Sequence, residues 1–252
     1  TWITFNVGPS RQVRAQRAQV LDAFFTAGGG MIDSSPMYGS AQEVVGDLLA
    51  QLKPTGLFSA TKVWTGSAGH QQIAQAHELW RLKRFDLLQV HNLLNWRGHL
   101  PLLQQMKAAG KLRYVGVTTS HGRRHDELEK IMTSQALDFV QLTYNAADRE
   151  AENRLLPLAR ERGIAVIANR PFRRGALPDR LNGRPLPGFA AELHCETWAQ
   201  LLLKFIVSHP AITCAIPATS QVRHMQENMA AGTGPQPNDA TRRAIGQLVA
   251  DA

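Results

Sequence analysis

An alternation that runs the whole length of the chain constrains its fold most: short runs rich in apolar and β-branched residues, each followed by a stretch with helical spacing. Eight such runs stand out, TWITF, MID, FSATKVW, FDLLQVH, LRYVGV, LDFVQLTY, IAVIA and TCAI. Short runs bounded by turn formers read as strands, whereas apolar residues three and four apart read as one face of a helix. Val20, Leu21, Phe24 and Phe25 place a helix over about Val13 to Ala27, and Val44, Val45, Leu48 and Leu49 place the next. The same spacing predicts helices from about Gln71 to Leu82, Leu100 to Ala109, Arg124 to Met132, Glu150 to Arg162 and Thr197 to Ser208. Gly28 to Gly30, Gly110 and Gly163 fall where three of them should stop, as glycine does after a helix C-terminus.

Strand followed by helix is the repeating unit of a parallel sheet, and eight units in 252 residues predict an α/β chain closed into a (β/α)8 TIM barrel. An open doubly wound sheet is the rival, but no strand leads into G-x-G-x-x-G. The reading is a single domain over residues 1–252, with the first strand beginning partway at Thr1. Residues 171–194, rich in Pro, Gly and Arg, read as an irregular excursion, and a short helix is expected around Met225 to Met229. Residues 236–252 read as a C-terminal helix packed outside the barrel.

With 44% hydrophobic residues and only two cysteines, Cys195 and Cys214, the chain should be held by its core and not by a disulfide framework. A net charge of +8 suits anionic ligands such as phosphates. Nucleic acid is not the expected partner, because the basic residues are scattered and not gathered with aromatics on one element. No apolar run approaches the length needed to span a membrane. No signal peptide is visible, so the expected location is cytoplasmic; a chain that starts at Thr1 without methionine leaves export open.

The chemistry lies where three consecutive units end. The run MID closes on Asp33, FSATK closes on Lys62 and FDLLQVH closes on His91, with Tyr38 in the SSPMYGS loop behind the first. At the C-terminal face of parallel strands these four side chains converge. A lysine beside a phenol is expected to lower its pKa from about 10, the aspartate to hold the lysine, and the histidine to add a second hydrogen bond to one oxygen. Such a group stabilises charge developing on a carbonyl oxygen. A central ammonium repels a divalent ion, so no metal is expected. Singly, each residue has an ordinary explanation as a cap, a packing residue or a satisfied core group; together, at matching positions, they point to function.

These residues carry a resemblance. IDSSPMYG followed by EVVG, then ATKVW, DLLQVHN, GKLRYVGVTT, FVQLTYN, LLPLARERGIAVIANRPF, and IPATS followed by HMQEN, resemble the aldo-keto reductases over nearly the whole chain. The resemblance implies a (β/α)8 barrel that binds NADPH, or NADH, without a Rossmann motif. It implies an NAD(P)H-dependent oxidoreductase reducing an aldehyde or ketone to an alcohol by hydride transfer. Tyr38 would be the general acid, Lys62 and Asp33 would tune it, and His91 would orient the carbonyl.

Around the cofactor the resemblance is looser. Gln141 falls where the family places a carboxamide-binding glutamine, and Thr118 and Thr119 where a Ser-Asn pair is common. Asn169 falls where many members stack an aromatic ring; Ala218 replaces a lysine and His224 an arginine at the 2′-phosphate, whereas Glu227 and Asn228 match the adenine contacts. Arg170, Phe172, Arg173 and Arg174 follow the seventh run, where barrels bind phosphate, so the arginines are expected to compensate, with Thr219 and Ser220 adding hydroxyls. Trp2, Trp64 and Trp96 are candidates to line a substrate pocket. His121 and His125 have the spacing of a helical metal pair, but no cysteine or carboxylate completes a site. The other reading of the same resemblance is a cofactor-binding regulatory protein with negligible turnover; a metal-dependent barrel hydrolase is poorer still.

Overall fold

The computed structural model describes all residues 1–252. Its seven strands are β1 (Met31–Asp33), β2 (Phe58–Val63), β3 (Phe85–Val90), β4 (Leu112–Thr118), β5 (Phe139–Thr143), β6 (Ala165–Asn169) and β7 (Cys214–Ala215), and their order in the sheet is chain order. The helices are α1 (Trp2–Phe5), α2 (Arg11–Thr26), α3 (Ala41–Leu52), α4 (His70–Trp80), α5 (Trp96–Ala108), α6 (His125–Ser134), α7 (Leu155–Arg162), α8 (Ala176–Leu181), α9 (Trp198–Val207), α10 (Val222–Ala230) and α11 (Asp239–Ala250). By internal contacts the chain forms two compact units. One holds residues 1–118, 137–139 and 218–225; the other holds residues 119–136, 140–217 and 226–252.

In the first unit β1, β2, β3 and β4 pair in parallel, with Asp33 opposite Ala60, Lys62 opposite Gln89 and Val90 opposite Val117. Side chains alternate along a strand. The register therefore puts Asp33, Lys62 and Gln89 on one face. Thr61 faces the other way, where its hydroxyl donates to Gln42 of α3 at 2.7 Å and Trp80 of α4 donates to the same oxygen at 3.1 Å. Val44, Val45 and Leu48 of α3 and Ile73, Ala76 and Trp80 of α4 are buried there. Helices α3 and α4 approach closely at Gly46, where an added Cβ would lie 1.8 Å from the Leu79 carbonyl oxygen.

The opening TWITF is a helical turn and not the expected strand. Phe5 N–H donates to the Thr1 carbonyl at 2.9 Å and Asn6 N–H to that of Trp2 at 3.2 Å. Aromatic and β-branched composition is only a preference for a pleated, half-buried surface; here local bonds satisfy the backbone, and of this turn only Phe5 is buried.

In the second unit β6 and β7 pair in parallel through Ile167–Cys214 and Ala168–Ala215. Helix α9 opens with a capping box in which Gln200 N–H donates to Thr197 Oγ1 and Thr197 N–H to Gln200 Oε1. It then buries Leu201, Leu202, Leu203, Phe205 and Ile206, each worth about 1.5–3 kcal/mol relative to exposure. Helix α7 ends as its glycine foretold, with Gly163 left-handed at φ 65°. The 171–194 excursion is less irregular than its composition suggests, since it contains α8. The C-terminal helix α11 is capped by Asn238, which accepts from Thr241 N–H at 2.9 Å. Its Arg242 is buried and donates to Phe205 O, to Ser208 Oγ at 3.2 Å, to Tyr144 Oη at 2.6 Å and to Glu152 at 3.3 Å.

Candidate active site

The strand ends of the first unit bring the four expected groups together. Lys62 is buried, and its ammonium donates to Asp33 Oδ2 at 2.5 Å and to the Ser34 carbonyl at 2.8 Å. The other oxygen of Asp33 accepts from Gln89 Nε2 at 3.1 Å. The lysine nitrogen lies 5.1 Å from the centre of the Tyr38 ring. Tyr38 sits in a one-turn helix, Pro36–Tyr38, that Ser35 caps and Pro36 starts; proline's fixed φ suits that position. His91 directly follows β3, and its ring meets the Tyr38 ring edge-on at 5.7 Å.

The surroundings set the charge of each group. Burial leads the influences on Lys62 and opposes its charge, but Asp33 and the Tyr38 phenol together outweigh it and hold the ammonium above its ordinary pKa. For Tyr38 the expected direction is reversed. Burial raises its pKa by more than Lys62 lowers it, because withdrawing water disfavours the phenolate before any carbonyl is bound. The resting phenol is thus firmly protonated. Burial, with Lys62 adding repulsion, lowers His91 to about 2, so the imidazole is neutral and can donate from one nitrogen only.

Two tryptophans flank this group. Trp2 stacks on Tyr38 with ring centres 6.1 Å apart, and Trp64 lies 6.5 Å from His91. Both are well exposed, at 37% and 40%. Trp96 stands in α5 with the Arg97 guanidinium 4.5 Å over its ring.

The remaining residues of the first unit have local partners. Thr118 Oγ1 accepts from Asn92 N–H at 2.9 Å, steadying the turn after His91. Thr219 accepts from Gln221 N–H at 3.1 Å, the Ser220 carbonyl accepts from Arg17, and His224 lies beside Arg223.

In the second unit Thr119 N–H donates to the Gln141 carbonyl at 2.8 Å, and both side chains are buried. Asn169 works as a bracket: its amide donates to the Thr119 carbonyl at 2.8 Å and accepts from Thr143 Oγ1 at 2.7 Å. The Thr119 hydroxyl is buried without a hydrogen-bond partner, a state that costs about 1–3 kcal/mol unless something fills it. The three arginines part company. Arg173 is paired with Asp148, donating to both carboxylate oxygens. Arg170 and Arg174 are left-handed at φ 54° and 64° and share their electrostatic surroundings with Arg123 and His121. Burial leads the lowering of both Arg170 and His121, and neighbouring arginines add to it. Phe172 is partly exposed and caps the turn Arg173–Gly175; Glu227 and Asn228 lie on α10. Of the two helical-start histidines, His121 Nδ1 lies 2.7 Å from Ser120 Oγ and His125 opens α6.

Ser35 and Gln89 were not anticipated as parts of the site, although both were within reach of the sequence. Gln89 lies two residues before His91 on a strand, hence on the same face as Lys62, its register partner. Ser35 lies between Asp33 and Tyr38, inside the turn-forming run.

The chain is similar to named oxidoreductases. The methylglyoxal reductase YeaE of Escherichia coli (strain K12) is 29% identical, covering 90% of this chain and 82% of its own length. An NADH-specific methylglyoxal reductase of the same organism is 26% identical over 75% of this chain and 67% of itself. Among solved structures, an aldo/keto reductase from Klebsiella pneumoniae in complex with NADP and acetate has a TM-score of 0.80 at 24% identity, over 98% of this chain and 89% of its own. A glycerol dehydrogenase from Gluconobacter oxydans reaches 0.81 at 19% identity, over 100% and 90%. At such identity these two structures speak for the fold, which is α/β of the (β/α)8 class. The sequence model described as the Aldo/keto reductase family matches residues 1–242, and the chain belongs to that family.

Proposed function

We infer that the protein is an NAD(P)H-dependent oxidoreductase that reduces an aldehyde or ketone to an alcohol. The observation that carries this reading is the buried Lys62–Asp33 pair beneath a protonated Tyr38, with a neutral His91 at its side. A carbonyl oxygen placed between phenol and imidazole accepts a hydrogen bond from each. As negative charge grows on it, Tyr38 delivers its proton and the Lys62 ammonium stabilises the phenolate left behind. Asp33 keeps that lysine charged and fixed, and Gln89 keeps Asp33 fixed. Trp2 and Trp64 offer apolar surface beside Tyr38 and His91 against which the substrate can pack.

The residues present fit a nicotinamide cofactor. The Thr119 hydroxyl is buried without a hydrogen-bond partner, and the Thr119 backbone is bonded to that of Gln141; Thr119 and Gln141 would hold the carboxamide. Arg170 and Arg174, with Arg123, would meet phosphate oxygens, while Arg173 stays with Asp148. When bound, the cofactor supplies the hydride. NADPH is the favoured form, because the arginine group offers charge beyond what pyrophosphate needs; NADH remains usable, and one relative is named NADH-specific. The two relatives are named methylglyoxal reductases, so the substrate class proposed is a small reactive aldehyde. We place this activity in the cytoplasm, where nicotinamide cofactors are reduced and recycled.

The test is oxidation of NADPH and of NADH with methylglyoxal and a nitrobenzaldehyde, in the natural protein and in Tyr38→Phe. Turnover that falls about a hundredfold or more on losing the phenol supports the reading. Cofactor binding without consumption in the natural protein would sink it in favour of a regulatory role.

A further inference from the structure

Behind His91 lies a contact that the four catalytic groups leave unexplained. Ser35 is fully buried; its Oγ lies 2.8 Å from His91 Nδ1 and accepts from Met37 N–H at 3.2 Å. A hydroxyl carries one proton, and a neutral imidazole donates from one nitrogen and accepts at the other. If Nδ1 carried the proton and donated to Ser35, the buried hydroxyl proton would have no acceptor. If Ser35 donates to Nδ1, both the hydroxyl and the Met37 N–H are satisfied, and the imidazole proton must sit on Nε2. His91 Nε2 makes no hydrogen bond within the chain, so it is left available to a ligand. The turn behind the ring is held as well, since Asn92 and Leu93 are left-handed at φ 52° and 55° and Thr118 pins Asn92 N–H.

We propose that Ser35 is a positioning residue: by donating to Nδ1 it fixes His91 as the Nε2–H tautomer and presents that N–H to the substrate carbonyl oxygen. The proposal rests on the carbonyl-reductase reading for its consequence, but the tautomer itself does not depend on turnover. It explains how an imidazole beside an ammonium serves as a neutral donor without having to change its protonation state.

The experiment pairs a direct readout with kinetics. Protein labelled with nitrogen-15 in its histidines is studied by two-bond nitrogen–proton correlation, and NADPH-dependent reduction of methylglyoxal is measured for the natural protein, Ser35→Ala and Ser35→Thr. The expected result is His91 as Nε2–H in the natural protein, with loss of that single tautomer in Ser35→Ala. Its kcat should fall about tenfold, the effect of one buried hydrogen bond, while KM and NADPH binding by fluorescence change less than about twofold; Ser35→Thr, which keeps the hydroxyl, should recover most of the rate. An Nδ1–H signal in the natural protein overturns the proposal, as does an unchanged tautomer and kcat in Ser35→Ala. If the natural protein reduces no aldehyde, the reductase reading falls and the spectra alone decide: Nε2–H that depends on Ser35 upholds the tautomer, and Nε2–H that survives Ser35→Ala refutes it. Should Ser35→Ala fail to fold, Ser35→Cys, similar in size but a weak donor, is judged by the same criteria.

Discussion

At Tyr38 two forces oppose each other on one oxygen, and burial outweighs the lysine. A proton donor needs its proton, so reduction should be nearly level through neutral pH and decline only at alkaline pH, as the phenol ionises. A pH profile of kcat/KM tests this, and a decline already centred near neutrality would contradict it. Lys62→Met should cost about a hundredfold or more in kcat, because it removes the charge that stabilises the phenolate and strands Asp33 buried. His91 makes a stability prediction. The unfolded imidazole, with a pKa near 6.5, takes up a proton that the folded one refuses until about pH 2. Below about pH 6.5 the unfolded state therefore binds more protons, and acid favours unfolding. Between about pH 6.5 and about pH 5 the natural protein should lose roughly 1.5 kcal/mol through this group. Urea denaturation of His91→Gln, neutral throughout, should lack that share.

Among the elements, the meeting of α3 and α4 shows how packing can reverse a local preference. Alanine is a better helix former than glycine by about 1 kcal/mol, yet at Gly46 its Cβ would press within 1.8 Å of the Leu79 carbonyl oxygen. Gly46→Ala should destabilise the protein by about 1–3 kcal/mol, read as a lower urea midpoint; a gain would show that the helices separate at no cost. Helix α11 depends on one side chain in a comparable way. Arg242 satisfies the Phe205 carbonyl, Ser208, Tyr144 and Glu152 at once, so Arg242→Met should cost about 2–3 kcal/mol by the same measurement. Glu152 keeps Arg149 as a partner, which limits the loss. Elements such as β3, α9 and α11 were legible because their pattern and caps agree with their environment. TWITF was not, because its composition favours a strand while its few residues close their hydrogen bonds locally.

For the molecule as a whole, a net charge of +8 bears on how it meets an anionic cofactor. Raising salt from about 0.1 to about 1 M shortens the screening length from about 10 to about 3 Å. NADPH should therefore bind several-fold more weakly at high salt, and lose more than NADH; equal losses in a fluorescence titration would argue against an arginine grip on the extra phosphate. The amino-acid sequence by itself determined the alternation of strand and helix and the approach of Asp33, Tyr38, Lys62 and His91. Period and turn chemistry are local, and parallel strand ends converge wherever such units repeat. Only the tertiary structure decided which way the Tyr38 pKa moves, that Asn169 braces Thr119 and Thr143, that Arg173 belongs to Asp148, and that Ser35 stands behind His91. Those outcomes turn on burial and on distances of a few ångströms between residues far apart in the chain, and no spacing along the sequence encodes them.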